Sequence, residues 1–384
     1  MVLSSFLRVL LMRLCILIIA SVLFMFRGVG YKADAAIQNQ SIRIAIVKNA
    51  QSVSIDGGGV LATREDGFPL VLSQSVTVRS IKNSMCIDGV VYRRLKFASS
   101  SVIYVNGKPY HGSAEIIFSE KGLLVINELP LEEYLVGLIN CEISSAWPIE
   151  AVKAQAVIAR TYALSRKESR KNSLYHLEST VIDQVYEGSL IEDSRAKRAV
   201  SETSGEVLVY RSEIIQAFYH SSCGGKTEAA INVWGASLPY LKGVDCEYCL
   251  LSPSSLWEQK LSLKEMDEKL RTAGFKVSGV SDVRLGARNN RGRLTNIVIL
   301  SSLSDVAVSG DQFRKAIGYG VIKSTNFTVK VGGGEVSFSG SGNGHGVGLC
   351  QWGAKQRAVS GFEYNEILSY YYPGTELKKL SEIR

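Results

Sequence analysis

The chain of 384 residues has few of the residues and motifs that mark several common enzyme classes. It contains only 4 histidines and no Gly-x-Ser-x-Gly motif, which argues against a serine hydrolase with a nucleophile elbow. It also lacks a P-loop, because the glycine-rich stretch at 340–348 has no Lys-Ser or Lys-Thr ending. The net charge of +8 is spread along the chain without a concentrated basic stripe, so no nucleic-acid partner is expected.

Proline is also scarce, with 7 residues, and no segment is of low complexity or repeats another. The hydrophobic content of 46% is enough for a folded core, which excludes a disordered stalk. The mild excess of positive charge would suit loose attraction to an anionic matrix.

The first residues are typical of a targeting segment. Arg8 and Arg13 precede an apolar run at 14–26, which is too short to cross a bilayer as a helix but suits the core of a signal peptide. Small residues at 33–35 match a cleavage site, so the sequence predicts a signal peptide over 1–35. A retained signal anchor is the alternative. Both interpretations place the rest of the chain outside the cytoplasm, and only the anchor ties it to a membrane.

The remaining chain changes character near residue 125. Residues 36–125 contain short β-branched runs between Gly, Asn and Asp turns, and Asn106-Gly107 between two such runs predicts a β-hairpin. Residues 126–384 mix helical and strand patterns, and Ser262 with Glu265 and Ser309 with Gln312 match the capping box that begins a helix. We therefore predict an α+β fold of mixed helices and antiparallel strands, with a β-rich N-terminal portion followed by a larger domain.

Two predicted helices flank a connector at 140–146 that contains Glu142. The first begins at Pro130, and the second begins after Trp147-Pro148 and places its apolar residues on one buried face. Packing of these helices would shield the Glu142 carboxyl, raise its pKa and let it hold a proton near neutral pH. Such a group can act as a catalytic acid/base, and a capping or salt-bridging role is the structural alternative.

Six cysteines remain beyond the leader, and two short spacings among them suggest a metal site. His220 with Cys223 and Cys246 with Cys249 form two chelating pairs. Together they could hold Zn²⁺, and four protein ligands would make the site structural, because no position is left for water. Disulfide bonding is one alternative, since the protein is predicted to be exported and six is an even number, and free thiols are the other.

Three ordered blocks of the sequence resemble a known family. They lie at 129–164 (LPLEEYLVGLINCEISSAWPIEAVKAQAVIARTYAL), 217–244 (AFYHSSCGGKTEAAINVWGASLPYLKGV) and 342–377 (GNGHGVGLCQWGAKQRAVSGFEYNEILSYYYPGTEL). They look like the signature of the stage II sporulation protein D / amidase-enhancer (SpoIID/LytB) family. On this resemblance, residues 126–384 form the catalytic domain.

The resemblance implies a peptidoglycan lytic transglycosylase. In that reaction one Glu protonates the glycosidic oxygen between N-acetylmuramic acid and N-acetylglucosamine, and the muramoyl C6 hydroxyl attacks C1 to leave a 1,6-anhydro end. The family's catalytic residue falls on Glu142, and family precedent favours glycan strands without stem peptides. A hydrolase would need a second carboxylate, for which Glu150 is the nearest candidate. The family name also suggests a non-catalytic wall-binding module that stimulates a cell-wall amidase.

Other residues fall on positions that line or support the glycan groove in this family. The expected substrate-binding residues are Arg160, Tyr162, Ser221, His345 and Gln351. A buttressing role is the alternative for Arg160 and Tyr162, and a turn requirement is the alternative for His345 among its glycines. Three tryptophans are expected in the core more than on sugar platforms: Trp147, Trp234 and Trp352.

The chain departs from the family pattern near the expected acid/base. Cys141 precedes Glu142 where a small residue is usual, and Ile143-Ser144 replaces the common Met-Pro. Cys350 stands where the family commonly has Ser. A disulfide between Cys141 and Cys350 is one pairing that this pattern allows. Because family members differ in zinc binding, the zinc prediction depends on the spacing of the ligands in this chain.

Overall fold

The computed structural model describes residues 40–57, 59–70 and 75–383. Its helices and its mostly antiparallel sheets confirm the predicted α+β fold with a β-rich N-terminal region. The predicted leader lies outside the described residues. Among the residues that are described, no helix is both long enough and apolar enough to cross a membrane.

The chain divides into two compact units, Met1–Tyr134 with Lys379–Arg384, and Leu135–Lys378. The sequence placed the change of domain at 125/126, which falls inside the strand Gly122–Pro130. That strand pairs with Ser41–Ala50 and therefore belongs to the β-rich unit.

The first unit is built from short strands. They are β1 Ser41–Ala50, β2 Ser52–Asp56, β3 Leu61–Arg64, β4 Pro69–Leu70, β5 Ser75–Ile81, β6 Ser84–Ile87, β7 Val90–Tyr92, β8 Arg94–Ala98, β9 Ile103–Val105, β10 Lys108–Tyr110, β11 Ser113–Ser119 and β12 Gly122–Pro130. One sheet has the strand order β1-β12-β11-β8-β3-β4, and the other has the order β10-β9-β2-β5-β6-β7. The predicted hairpin is confirmed, because Asn106 and Gly107 both have the positive φ that a two-residue type I′ turn requires.

The second unit surrounds one long helix. Its helices are α1 Leu131–Glu142 (which begins in the first unit), α2 Ile149–Ser169, α3 Ser194–Glu202, α4 Ala230–Trp234, α5 Leu263–Thr272, α6 Gly310–Ile317, α7 Gln351–Val359 and α8 Tyr364–Tyr371. Every residue of α2 from Ala151 to Leu164 is buried except Lys153. The sequence predicted one buried face, but α2 is buried on nearly every side. The elements that pack around it are α3, α7, α8 and a strand at Glu206–Tyr210. Small alanines let these neighbours approach closely.

The strands after α1 belong mainly to sheets of two or three strands. They are β13 Leu177–Glu178, β14 Glu206–Tyr210, β15 Glu213–Ile214, β16 Tyr219–His220, β17 Trp257–Ser262, β18 Val280–Leu285, β19 Asn296–Ser301, β20 Val306–Ser309, β21 Phe327–Gly332, β22 Glu335–Gly340, β23 Leu349–Cys350 and β24 Glu376–Lys379. Within the described ranges, 3₁₀ turns lie at Glu247–Leu251 and Leu380–Glu382. Of these sheets, β16 and β23 form a parallel pair with Tyr219 opposite Leu349 and His220 opposite Cys350.

A smaller α/β region between β17 and β22 has its own hydrophobic core. The order strand, helix, strand, strand occurs twice, as β17-α5-β18-β19 and as β20-α6-β21-β22. The halves exchange strands, because β17 pairs with β22 and β20 pairs with β19. Both predicted capping boxes are confirmed, at Ser262 with Glu265 and at Ser309 with Gln312.

Candidate active site and cysteine cluster

Glu142 is the last residue of α1, so the helix extends three residues into the predicted connector. Its partly buried carboxylate accepts the backbone N–H of Val185, with 3.0 Å between N and Oε1. The side chains of Tyr219 and Gln351 also bond to it. Burial raises the pKa of Glu142, and the three hydrogen bonds oppose that shift without cancelling it. The carboxyl therefore keeps its proton to a higher pH than an exposed glutamate does, and the carboxylate is stabilised once the proton has been released.

The segment that carries Val185 is fixed by a buried carboxylate. Asp183 pairs with Arg166 at 3.2 Å and with Arg170 at 2.7 Å, and its own side chain is fully buried. It also accepts the hydroxyl of Tyr162 at 3.0 Å. Because these charge-assisted contacts hold Asp183, they also fix the position of the Val185 N–H two residues later.

Two amides hold the side-chain donors of the Glu142 carboxylate. Gln184 donates from Nε2 to the hydroxyl oxygen of Tyr219 at 3.1 Å, which leaves the hydroxyl proton free to point at the carboxylate. Gln351 donates one N–H to Oε1 of Gln155 at 3.3 Å and has a second N–H for the carboxylate. The sequence predicted Gln351 near the site. It did not identify Tyr219, Val185 or the supporting amides of Gln155 and Gln184.

Arg160 and Tyr162, both predicted to bind substrate, have structural positions. Arg160 is fully buried and donates to the carbonyl oxygens of Glu206 at 3.1 Å and Val200 at 3.4 Å. A guanidinium without solvent exposure does not fit direct contact with a glycan. The Tyr162 hydroxyl donates to Asp183 and accepts from Arg166, so the buttressing alternative fits both Arg160 and Tyr162 better.

His345 and Ser221 lie next to the strand pair that carries Tyr219. His345 accepts the N–H of Val347 at Nδ1, and its ring centroid is 5.0 Å from that of Trp234. Burial and two nearby arginines lower the pKa of His345 to about 3, so the ring is neutral. Ser221 is half-buried, and its carbonyl accepts an N–H from α7. The Trp234 side chain is 42% exposed and therefore is not a core residue, contrary to the expectation from the sequence.

Glu150, the second carboxylate that a hydrolase would need, has other partners. Its Oε1 accepts from Nζ of Lys153 at 3.0 Å, and its Oε2 accepts the backbone N–H of Tyr364 at 3.0 Å. Glu150 is not among the groups that bond to the Glu142 carboxylate. This arrangement does not favour a paired-carboxylate mechanism.

Four cysteines form a buried cluster: Cys223, Cys246, Cys249 and Cys350. Their Sγ atoms all lie within 4.8 Å of one another. In a tetrahedral zinc site with Zn–S bonds of about 2.3 Å, the sulfurs are about 3.8 Å apart. Backbone N–H groups of Gly225 and Gly353 donate to the sulfurs of Cys249 and Cys350, at 3.3 and 3.4 Å. Clustered sulfurs with N–H donors are an arrangement that suits thiolates bound to a metal ion.

His220, predicted as the fourth ligand, is not in this cluster; Cys350 takes that place. Instead, Nδ1 of His220 lies 3.1 Å from the carbonyl oxygen of Val347. All six cysteines of the described part of the chain are free, so neither the disulfide alternative nor a Cys141–Cys350 bond is formed. The sequence did not predict Cys350 as a ligand, because it lies 101 positions beyond Cys249. Cys350 directly precedes Gln351.

Comparison with known proteins connects this site to a family. The family profile described as Stage II sporulation protein matches residues 119–210, which include α1, Glu142 and α2. The protein named "Stage II sporulation protein D" of Bacillus amyloliquefaciens is 30% identical over 321 residues, which cover 74% of this chain and 90% of that relative. The chain belongs to the stage II sporulation protein D family. Tyr219 of β16 and Gln351 of α7, which bond to Glu142, lie outside the segment that the family profile matches.

Two other relatives extend the comparison. An uncharacterized protein of Brachyspira hyodysenteriae is 34% identical over 306 residues, which cover 78% of this chain and 82% of that protein. The protein named "Amidase enhancer" of Bacillus subtilis is 31% identical over 332 residues. The chain spans about half the length of that amidase enhancer, 46% of it. A domain of unknown function (DUF8618) matches residues 254–348, which contain the smaller α/β region.

Proposed function

We propose that this member of the stage II sporulation protein D family is a peptidoglycan lytic transglycosylase, with Glu142 as its acid/base. The observation that carries the proposal is the partly buried Glu142 carboxyl, whose pKa is raised by burial and which three donors hold in place. Its substrate is the glycan strand of peptidoglycan, and we place the protein in the cell envelope after export. The names of its relatives, which refer to sporulation and to an amidase, support this location.

The chemistry needs one carboxyl group in two protonation states. Glu142 first gives its proton to the glycosidic oxygen that leaves C1 of N-acetylmuramic acid. The C6 hydroxyl of the same sugar attacks C1, and its proton passes to the Glu142 carboxylate, which ends the cycle protonated. The Val185 N–H and the side chains of Tyr219 and Gln351 stabilise the carboxylate between these transfers. No water is consumed, and the product carries a 1,6-anhydro ring.

Product analysis tests this reaction. Digestion of purified peptidoglycan and of glycan strands stripped of stem peptides is expected to release fragments with 1,6-anhydro-muramoyl ends, identified by mass spectrometry. Their mass is lower by one water than that of hydrolysis products. Reducing ends in place of anhydro ends would contradict the proposal and favour a hydrolase. The yield on stripped strands, compared with intact peptidoglycan, reports which of the two substrates is preferred.

A second candidate function is a wall-binding module that stimulates an amidase. The relative named "Amidase enhancer" is the observation in its favour. This function requires no acid/base, so it does not explain why a partly buried carboxyl should be held by three hydrogen-bond donors.

Replacing Tyr219 with Phe is expected to move the alkaline limb of the pH–activity profile to higher pH. A raised carboxyl pKa keeps the acid protonated up to that pKa, and activity falls as pH rises through it. The Tyr219 hydroxyl stabilises the carboxylate form, so its removal raises the pKa of Glu142 further. The initial rate of anhydro-product release across pH measures the effect. Tyr240→Phe is the control, since that hydroxyl accepts the N–H of Gln216. An unmoved limb in Tyr219→Phe would argue against Glu142 as the acid.

We also propose that the four-cysteine cluster holds one structural Zn²⁺. The cluster fits the ion because four buried sulfurs have the spacing of a tetrahedral site and receive backbone N–H donors. The ligands would be Cys223, Cys246, Cys249 and Cys350. With four protein ligands the ion would take no part in the glycan chemistry and would contribute stability to the second unit.

A further inference from the structure

The smaller α/β region contributes a buried arginine beside the cysteine cluster. Arg293 precedes β19 and is 3% exposed. Its guanidinium donates to the carbonyl oxygen of Cys223 at 3.2 Å, to that of Gly344 at 3.3 Å and to the hydroxyl of Thr325 at 3.4 Å. The fit is tight, since a Cβ added at Gly346 would lie 2.4 Å from Nη2 of this arginine.

All three of these acceptors are neutral oxygens. In the described part of the chain, Arg293 forms no ion pair with a carboxylate, although a buried cation is ordinarily paired with an anion. Burial lowers the pKa of Arg293, and the groups whose negatively charged forms oppose this shift are Glu228, Cys223 and Cys350. Two of these three groups are members of the cysteine cluster.

Glu228 does not neutralise the arginine by direct contact. It is 1% exposed, and its carboxylate accepts from the Ala229 N–H at 2.8 Å and from the amides of Asn232 and Asn289, both at 2.7 Å. The histidines that face the arginine carry no charge, because burial holds the pKa of His220 and of His345 well below the usual value.

A divalent ion held by four thiolates has a doubly negative formal charge. Glu228 is buried as well, and both Glu228 and the cluster interact electrostatically with Arg293, so a loaded cluster would bury two anionic groups around one arginine and their repulsion would oppose metal binding. A guanidinium beside both groups offsets the charge of each. Neutral thiols would have no such need and would leave Arg293 with only Glu228.

We propose that Arg293 is the charge partner of the metal-loaded cysteine cluster, and that the segment 254–348 thereby helps to assemble this metal site. The proposal rests on the four-cysteine zinc site proposed above. It gives the matched domain of unknown function a defined role in this chain, which is to supply the cation that lets the thiolates and Glu228 be buried together.

The test measures the affinity of the full chain for Zn²⁺ by competition with a chromophoric chelator, at one pH and under reducing conditions. Loss of a supporting residue around a metal ion typically weakens binding about 10–100-fold, and we expect a loss in that range for Arg293→Gln. Arg293→Lys keeps the charge and is expected to retain most of the affinity. In the double variant Glu228→Gln/Arg293→Gln, part of the loss should be recovered, because the excess negative charge is removed.

Arg288→Gln is the matched control. Arg288 lies on the same segment and also donates to neutral acceptors, the carbonyls of Gly292 and Phe327 and the amide oxygen of Asn326, none of which belongs to the cysteine cluster. The proposal is overturned if Arg293→Lys binds as weakly as Arg293→Gln, if the double variant recovers nothing, or if the control loses as much. Each of these results would indicate a packing role.

Recovery in the double variant also serves as the folding control, because a packing defect would not be repaired by a second substitution. If the wild-type chain binds no zinc, the metal site itself fails. If it binds zinc and Arg293→Gln binds equally well, only the role of Arg293 fails. Neither result depends on glycan cleavage.

Discussion

Replacing Glu142 with Gln is expected to reduce the release of 1,6-anhydro-muramoyl products by about 10²–10⁴-fold, the usual contribution of a general acid or base. The amide has nearly the shape of the carboxyl, but it cannot give a proton to the glycosidic oxygen or take one from the C6 hydroxyl. Release of soluble fragments from glycan strands, followed by chromatography and mass spectrometry, measures the loss. The variant should keep its fold, because Gln still presents an oxygen to the Val185 N–H.

Glu150→Gln is the matched control for Glu142→Gln. The two carboxylates flank the same turn between α1 and α2, but Glu150 is bonded to Lys153 and Tyr364. A lytic transglycosylase should tolerate its replacement, whereas a hydrolase that used both groups would lose activity in either variant. Equal product yield from wild type and Glu142→Gln would contradict the proposed chemistry. Undiminished stimulation of an amidase by Glu142→Gln would then favour the wall-binding function.

Much of the local structure could be predicted because it depends on neighbouring residues. The two capping boxes and the Asn106-Gly107 hairpin each follow from side chains a few positions apart, and all are confirmed. The surroundings of α2 could not be predicted in the same way. Its burial on nearly every face comes from four distant elements that pack around it, and its own apolar period indicated one face only.

The candidate site shows the same limit. The sequence identified Glu142 and Gln351, and the structure brings them together. Tyr219 and Val185 were not predicted, because a tyrosine and a backbone N–H have no diagnostic spacing relative to Glu142. They reach the carboxylate through tertiary contacts: Tyr219 through the β16–β23 pairing, and Val185 through the Asp183 ion pairs.

The cysteine cluster and the proposed active site share two pieces of chain. Cys350 ends β23 and caps α7, and the next residue, Gln351, bonds to the Glu142 carboxylate. On the parallel strand β16, Tyr219 bonds to the same carboxylate and stands four residues before Cys223. A metal that fixed Cys223 and Cys350 would therefore also limit the movement of both side-chain donors. This link gives a structural metal an indirect effect on the acid/base.

Replacing Cys246 with Ser is expected to remove the bound zinc and to destabilise the second unit strongly. Structural zinc sites contribute about 10 kcal/mol or more of binding free energy, which becomes folding free energy when the site exists only in the folded chain. A loss of only about 5 kcal/mol of that would lower the unfolding temperature of a unit this size by about 10–20 °C. Zinc content by elemental analysis and thermal unfolding by circular dichroism measure the two effects.

Cys86→Ser is the control for this loss, because Cys86 lies in β6 of the first unit, outside the cluster, and is half-buried. It should retain about one zinc per chain and unfold near the wild-type temperature, as expected for a substitution away from such a site. Chelation of the wild-type protein under reducing conditions should reproduce the lower unfolding temperature of Cys246→Ser, and added zinc should reverse it only in the wild type. A wild-type protein that is free of zinc and indifferent to the chelator would contradict the metal assignment. Since the chemistry proposed for Glu142 needs no metal, that result would not contradict its acid/base role, which the analysis of the glycan products tests separately.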